Sequence, residues 1–120
     1  MKRINLPLIL LAFVFTVAGQ QPATAEDYFK RANTSLDKGE YDSAIADYTQ
    51  VIKASPKKHS ALAKRGKAHL LLAGYDKEVF AKALADLNEA IKLDPDVAEY
   101  WNWRGQVHFG MQNDALAIDD

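Results

Sequence analysis

Apolar residues recur at helical spacing along most of the chain. Ala44, Ile45, Tyr48, Val51 and Ile52 stand at i, i+1, i+4, i+7 and i+8, one stripe of an α-helix. The pattern predicts helices over 27–38, 42–53, 60–73, 77–92 and 98–111, with a further stub from 114. Gly39 and Gly74 mark two helix ends, and Asp42, Ser60, Asp76 and Asp96 are candidate caps or near-caps. The fold class these helices give is all-α.

The first 25 residues follow a different grammar. Lys2 and Arg3 are followed by an almost wholly apolar run over 4–18, and Ala23-Thr24-Ala25 supplies the small-x-small pattern of a cleavage site. This is the layout of a secretory signal peptide with a cut before Glu26. An uncleaved anchor is the other reading, although the run is shorter than the ~20 residues a spanning helix needs. No cysteine is present to carry a lipid. Export implies a periplasmic or secreted protein, with no membrane contact after cleavage.

Two segments repeat. Ala44-Ile45-Ala46-Asp47-Tyr48 matches Ala83-Leu84-Ala85-Asp86-Leu87. Val51-Ile52-Lys53-Ala54-Ser55-Pro56 matches Ala90-Ile91-Lys92-Leu93-Asp94-Pro95. Gly66 follows Pro56 by ten residues, as Gly105 follows Pro95. Small residues at Ala32, Gly66 and Gly105 allow close helix approach, and Ala44, Ala83 and Ala117 offer the opposing small surface. Tyr28, Tyr48, Leu62, Leu87 and Trp101 fill the space between hairpins. Pro56 and Pro95 separate one hairpin from the next, because proline cannot continue a helix.

The ordered set resembles the tetratricopeptide repeat, a helix–turn–helix unit of about 34 residues with the pattern W-x2-L-G-x2-Y, A-x3-F, P. The units read Tyr28, Arg31, Ala32, Ser35, Ala44, Tyr48, Pro56; then Leu62, Arg65, Gly66, His69, Ala83, Leu87, Pro95; then Trp101, Arg104, Gly105, His108, Ala117. The resemblance implies a right-handed solenoid of helical hairpins over 26–120. Its units are 25–58, 59–97 with a five-residue insertion, and an incomplete 98–120. The insertion lies over 74–81 and lengthens either the second helix of that unit or the connecting loop. Arrays of this kind need about three repeats and a polar cap. If the natural chain ends at Asp120, the unfinished third unit implies self-association through Trp101, Leu116 and Ile118, or low stability over 98–120.

Composition narrows the chemistry. With 48% hydrophobic and 26% charged residues the chain is an ordinary globular one. The absence of cysteine excludes disulfides, thiolate catalysis and cysteine-ligated metals. A net charge of −1 argues against general nucleic-acid binding. His59, His69 and His108 form no compact metal motif; His69 and His108 share one repeat position and read as helix-packing residues. There is no phosphate-cradling glycine loop and no paired-carboxylate arrangement. The reading is a non-enzyme without cofactor or metal.

Arg31, Arg65 and Arg104 share one repeat position, and Asp47, Asp86 and Asp120 another. Solvated surface charge is the plain account; recurrence of both members with the unit favours a charge-assisted ladder between helices.

The resemblance implies a concave ligand-binding face on the first helix of each unit. Its expected residues are Phe29, Asn33, Leu36, Lys64, Lys67, Leu70, Asn102, Gln106 and Phe109, with Ala63 beside them. Asn33, Lys67 and Gln106 stand in register, a polar column suited to a protein or peptide ligand. The family's carboxylate-clamping mode is not expected, because Phe29 and Trp103 stand where it needs basic residues. From Tyr48 to Tyr75 there is no acidic residue and a charge of +6, whereas the stretch from Asp76 onward carries −6. Lys64 and Lys67 therefore point to an acidic partner. The function read from the sequence is an exported protein-binding scaffold. The alternative is the N-terminal part, or an adaptor subunit, of a larger envelope or secretion assembly or enzyme.

Overall fold

The computed structural model describes residues 23–119, with side chains over 23–113. The expected signal segment over 1–22 and the expected roles of Leu116, Ala117, Ile118 and Asp120 lie outside the described residues and side chains. Among the described residues five helices follow one another: α1 (Ala25–Asp37), α2 (Tyr41–Ala54), α3 (His59–Leu72), α4 (Lys77–Leu93) and α5 (Ala98–Asp119). α1 pairs with α2 and α3 with α4 as hairpins, and α5 packs on α4 and more lightly on α3. The fold is an all-α solenoid of helical hairpins.

Local chemistry sets most of the boundaries. Gly39 and Gly74 adopt positive φ values of 79° and 58°, which reverses the chain after α1 and α3 with no side chain to clash. Asp76 caps α4 by accepting from the amides of Glu78 at 2.9 Å and Val79 at 3.4 Å. Asp42 and Ser60 sit inside the first turns of their helices, and the backbone of Glu40 and Lys58 precedes those helices without a side-chain cap bond. The cap of α1 is Thr24, which forms a reciprocal box with Asp27: the Asp27 amide donates to Thr24 Oγ1 and the Thr24 amide to Asp27 Oδ2.

The five extra residues of the second unit are distributed. α4 is 17 residues long against 14 for α2, α3 is one residue longer than α1, and the connecting loop gains one more. The sequence expectation fails at the far end. A turn was expected after Met111, but α5 runs unbroken for 22 residues to Asp119. No proline or glycine lies between Met111 and Asp119, so nothing local interrupts the i→i−4 ladder there.

Two apolar clusters meet at Ile52. One gathers Ala32, Ala44, Tyr48, Val51 and Ala61; the other gathers Leu62, Phe80, Ala83, Leu87, Tyr100 and Val107 with their neighbours. Ala63, expected on the concave face, is fully buried here. Gly66 marks a close crossing of α3 and α4. A Cβ at that position would stand 2.9 Å from Leu87 Cγ and 3.2 Å from the Ala83 carbonyl oxygen.

The arginine–aspartate ladder forms in both complete hairpins. Arg31 donates through Nε and Nη2 to Asp47 at 2.7 and 2.8 Å, and Arg65 through the same atoms to Asp86 at 2.8 Å each. Arg65 also donates through Nη1 to Thr49 Oγ1 at 3.1 Å. It therefore ties α2, α3 and α4 together. The Arg65 and Asp86 side chains are 22% and 9% exposed, whereas Arg31 is 65% exposed, so the second rung carries more of the fold.

The three histidines divide. His59 ties the start of α3 to α5 and to the end of α4: its Nδ1 lies 2.8 Å from the Tyr100 hydroxyl and its Nε2 3.6 Å from Asp94. His108 is exposed and does not act as a packing residue. His69 does pack, and its Nδ1 is buried without a partner among the described residues. Burial lowers its pKa, with Arg65 and Lys82 acting in the same direction and Asp86 opposing them. A histidine depressed in the folded state binds fewer protons there than in the unfolded chain. Stability is therefore expected to fall as pH drops below the unfolded value near 6.5. Urea midpoints of wild type and His69→Phe at pH 7.5 and 5.5 test this, the variant being expected to lose less on acidification. Equal losses in both proteins would remove His69 as the cause.

Candidate partner-binding groove

The first helix of each unit contributes to one groove. α1 supplies Asn33, Leu36 and Asp37; α3 supplies Lys64 and Lys67; α5 supplies Glu99 and Trp103. The groove encloses about 270 Å³.

Its polar groups are held from behind. Tyr48, fully buried on α2, donates its hydroxyl to Asn33 Oδ1 at 2.5 Å. Burial, followed by the Asp37 charge, pushes that phenol far above its ordinary range, which keeps it a donor. Lys64 Nζ also donates to Asn33 Oδ1, at 3.2 Å. With its oxygen occupied twice, Asn33 retains the Nδ2 hydrogens for a ligand. Lys67 Nζ lies 4.9 Å from the centre of the Trp103 ring, a cation–π placement on the groove wall.

The nine expected site residues do not form one face. Asn33, Leu36, Lys64 and Lys67 line the groove. Leu70, Asn102, Gln106 and Phe109 line a larger hollow of about 610 Å³ between α3, α4 and α5, together with Leu71, Gly74, Phe80, Gly105 and Gly110. Phe29 lines neither. It packs edge-on against Tyr48 at 6.0 Å and carries Lys58 Nζ over its ring at 4.2 Å. The split follows from helix spacing: Asn102 and Gln106 lie on a flank of α5, while Glu99 and Trp103 turn toward α1 and α3.

The charge picture also changes. Of the six basic residues between Tyr48 and Tyr75, Arg65 is engaged by Asp86 and Lys58 by Phe29, and only Lys64 and Lys67 line the groove. Asp37 and Glu99 line it too, so its formal charges balance. Sequence reasoning missed Asp37, Glu99 and Trp103 as lining residues. The register of Asn33 with Lys67 pointed to Gln106, whereas α5 presents a position one turn earlier. Among the described residues no cluster of metal-ligating side chains occurs, and no helix is long and apolar enough to cross a membrane.

Comparison with known proteins gives two repeat matches. A model described as "Tetratricopeptide repeat" matches residues 29–79, and one described as "TPR repeat" matches residues 73–112. Among curated proteins, a "Protein SGT1 homolog" of Oryza sativa subsp. japonica is 34% identical over 69% of this chain and 21% of its own length. "Heat shock protein STI1" of Saccharomyces cerevisiae is 29% identical over 73% of this chain and 14% of its own. "Hsp70-Hsp90 organizing protein 2" of Arabidopsis thaliana is 29% identical over 60% and 12%. The chain thus spans about a fifth or less of these relatives.

Proposed function

The chain belongs to the tetratricopeptide-repeat family, and on that premise we propose that it is a protein-binding scaffold whose ligand is a peptide segment seated in the groove between α1, α3 and α5. The observation that carries this reading is the preset polar edge of the groove: Asn33 held by Tyr48 and Lys64, with Lys67 lying over Trp103. The ligand is an acidic group flanked by an apolar side chain. The acid meets Lys64, Lys67 and the Asn33 amide, and the apolar group lies on Trp103. Because Asp37 and Glu99 share the groove, a run of several acids is disfavoured. Two relatives carry heat-shock names; here Phe29 and Trp103 stand in place of basic residues, and chaperone-tail binding is not part of the proposal.

Export is part of it. Lys2, Arg3, the apolar run and Ala23-Thr24-Ala25 support a signal segment, and a periplasmic or secreted compartment follows from it. The test begins with N-terminal sequencing of the expressed protein, which is expected to start at Glu26. A displayed random-peptide library is then panned on that protein. Single-acid, apolar-flanked sequences are expected to enrich, and Lys64→Glu, Lys67→Glu is expected to weaken them tenfold or more at low salt. Retained affinity in a folded double mutant would move the ligand elsewhere. An intact Met1 in a soluble fraction would remove the export reading and leave the groove untouched.

A further inference from the structure

The larger hollow, between α3, α4 and α5, has a chemistry of its own. Leu70 and Leu71 of α3 and Gln106 and Phe109 of α5 line it, and Phe80 of α4, almost fully buried, is its floor. Gly110 sets that floor. A Cβ there would stand 2.6 Å from the Phe80 ring, so a side chain on α5 at this point would push the ring away. Gly74 and Phe80 both fall in the stretch 74–81, where the second unit departs from the regular period. The hollow is thus built in part by this chain's own insertion.

No residue lining it is charged, in a chain where 26% are. A charged group seated there would lose water and gain no partner. The polar part is a pair of carboxamides. Gln106 Nε2 donates to Asn102 Oδ1 at 2.7 Å. Asn102 Nδ2 then keeps its donors and Gln106 Oε1 its acceptor. A donor and an acceptor side by side match the carbonyl and amide of one peptide unit. An alkyl chain would cover both and satisfy neither. The volume of about 610 Å³ leaves room for an aromatic side chain. The hollow also follows the groove along the same helices: Asn102 adjoins Trp103, and Lys67 stands four residues before Leu71 on α3. Four helical residues rise about 6 Å, which an extended peptide covers in about two residues. Side chains two apart on such a peptide point the same way.

We propose that this hollow seats a large uncharged side chain of the peptide ligand, two residues along from the ligand's acidic group. The peptide unit between them bonds to Asn102 and Gln106, and the side chain enters over Phe80 between Leu71 and Phe109. This deepens the peptide reading of the groove and rests on it. The acid then lies between two apolar residues, one on Trp103 and a larger one in the hollow.

The probe is a blocked peptide, acetyl-glycyl-leucyl-aspartyl-seryl-phenylalanyl-glycinamide, titrated into the isotope-labelled full chain by nuclear magnetic resonance. Shifts are expected at the Leu71 methyls and at the side-chain amides of Asn102 and Gln106. Replacing the phenylalanine of the peptide with alanine is expected to weaken binding roughly tenfold and to abolish the Leu71 shifts. Leu71→Asp in the protein is expected to do the same, with little further loss when both changes are combined. Leu71 is 45% exposed, so this variant is expected to keep its unfolding temperature. Lys64→Glu, Lys67→Glu separates the two readings. A loss there with none for Leu71→Asp keeps the groove and overturns the hollow. A loss for Leu71→Asp alone supports the hollow and removes the acid contact. Absence of any shift at the hollow overturns the proposal. So does a free protein whose hollow is already filled, whether by a second copy that Leu71→Asp dissociates or by residues 114–120 in contact with Leu71.

Discussion

Asp86→Ala is expected to cost about 3–5 kcal/mol of folding stability, a large share of the roughly 5–15 kcal/mol a small domain has. The carboxylate is nearly buried and accepts two 2.8 Å bonds from Arg65, itself 22% exposed. Removing it leaves a guanidinium between α2 and α4 with only Thr49 to meet one of its nitrogens. That uncompensated charge, more than the lost bond, sets the size of the effect. Arg65→Met with Asp86→Leu is therefore expected to recover most of the loss. Urea denaturation of wild type, single and double variants measures both. A loss below about 1 kcal/mol for Asp86→Ala would show that the rung is an ordinary surface pair.

The second large effect belongs to a pair of glycines that the repeat pattern treats as equivalent. Gly66→Leu is expected to destabilise by about 3 kcal/mol or more, because even its Cβ collides with Leu87 and with a backbone carbonyl that cannot move without shifting α4. Gly66→Ala meets the same contacts, and its gain in helix propensity of about 1 kcal/mol does not offset them. Among the described residues Gly105→Ala meets nothing within 4 Å, and it is expected to stabilise by up to about 1 kcal/mol. Thermal unfolding of the three variants should place Gly66→Leu lowest and Gly105→Ala above wild type. A stabilising Gly66→Ala would mean that α3 and α4 are less closely packed than described.

The helices were legible because each amphipathic stripe is bounded by a strong stop signal: Gly39, Pro56, Gly74 and Pro95. The ladder was legible because both members repeat at fixed positions, so Arg65 and Asp86 could be paired across the insertion. The end of α5 was not legible. The expected turn after Met111 came from unit register alone, with no residue there to enforce it. Trp103 and Glu99 were missed for a related reason. Register places a residue on a helix but does not give the rotation of that helix against its neighbours, which Tyr100, Val107 and Gly110 set here by packing on α3 and α4. His59 and Tyr100 are 41 residues apart, and no spacing rule joins them. The Thr24 box escaped because those residues had been assigned to a signal segment.

That assignment and that box overlap at Thr24 and Ala25. The Thr24 backbone is extended, with φ −90° and ψ 168°, and the helix begins one residue later. A peptidase needs an unwound strand to thread; Thr24 is extended, but the bond it would cut, after Ala25, already lies at the start of α1, so cleavage requires that first turn to open. Cutting after Ala25 discards the hydroxyl that satisfies the first turn of α1 and puts a new ammonium at the positive end of the helix. Maturation would then be a one-way edit that leaves α1 frayed in the product and sealed in the precursor. A shape-sensitive antibody raised against the first turn would tell the two forms apart without reading the missing leader at all.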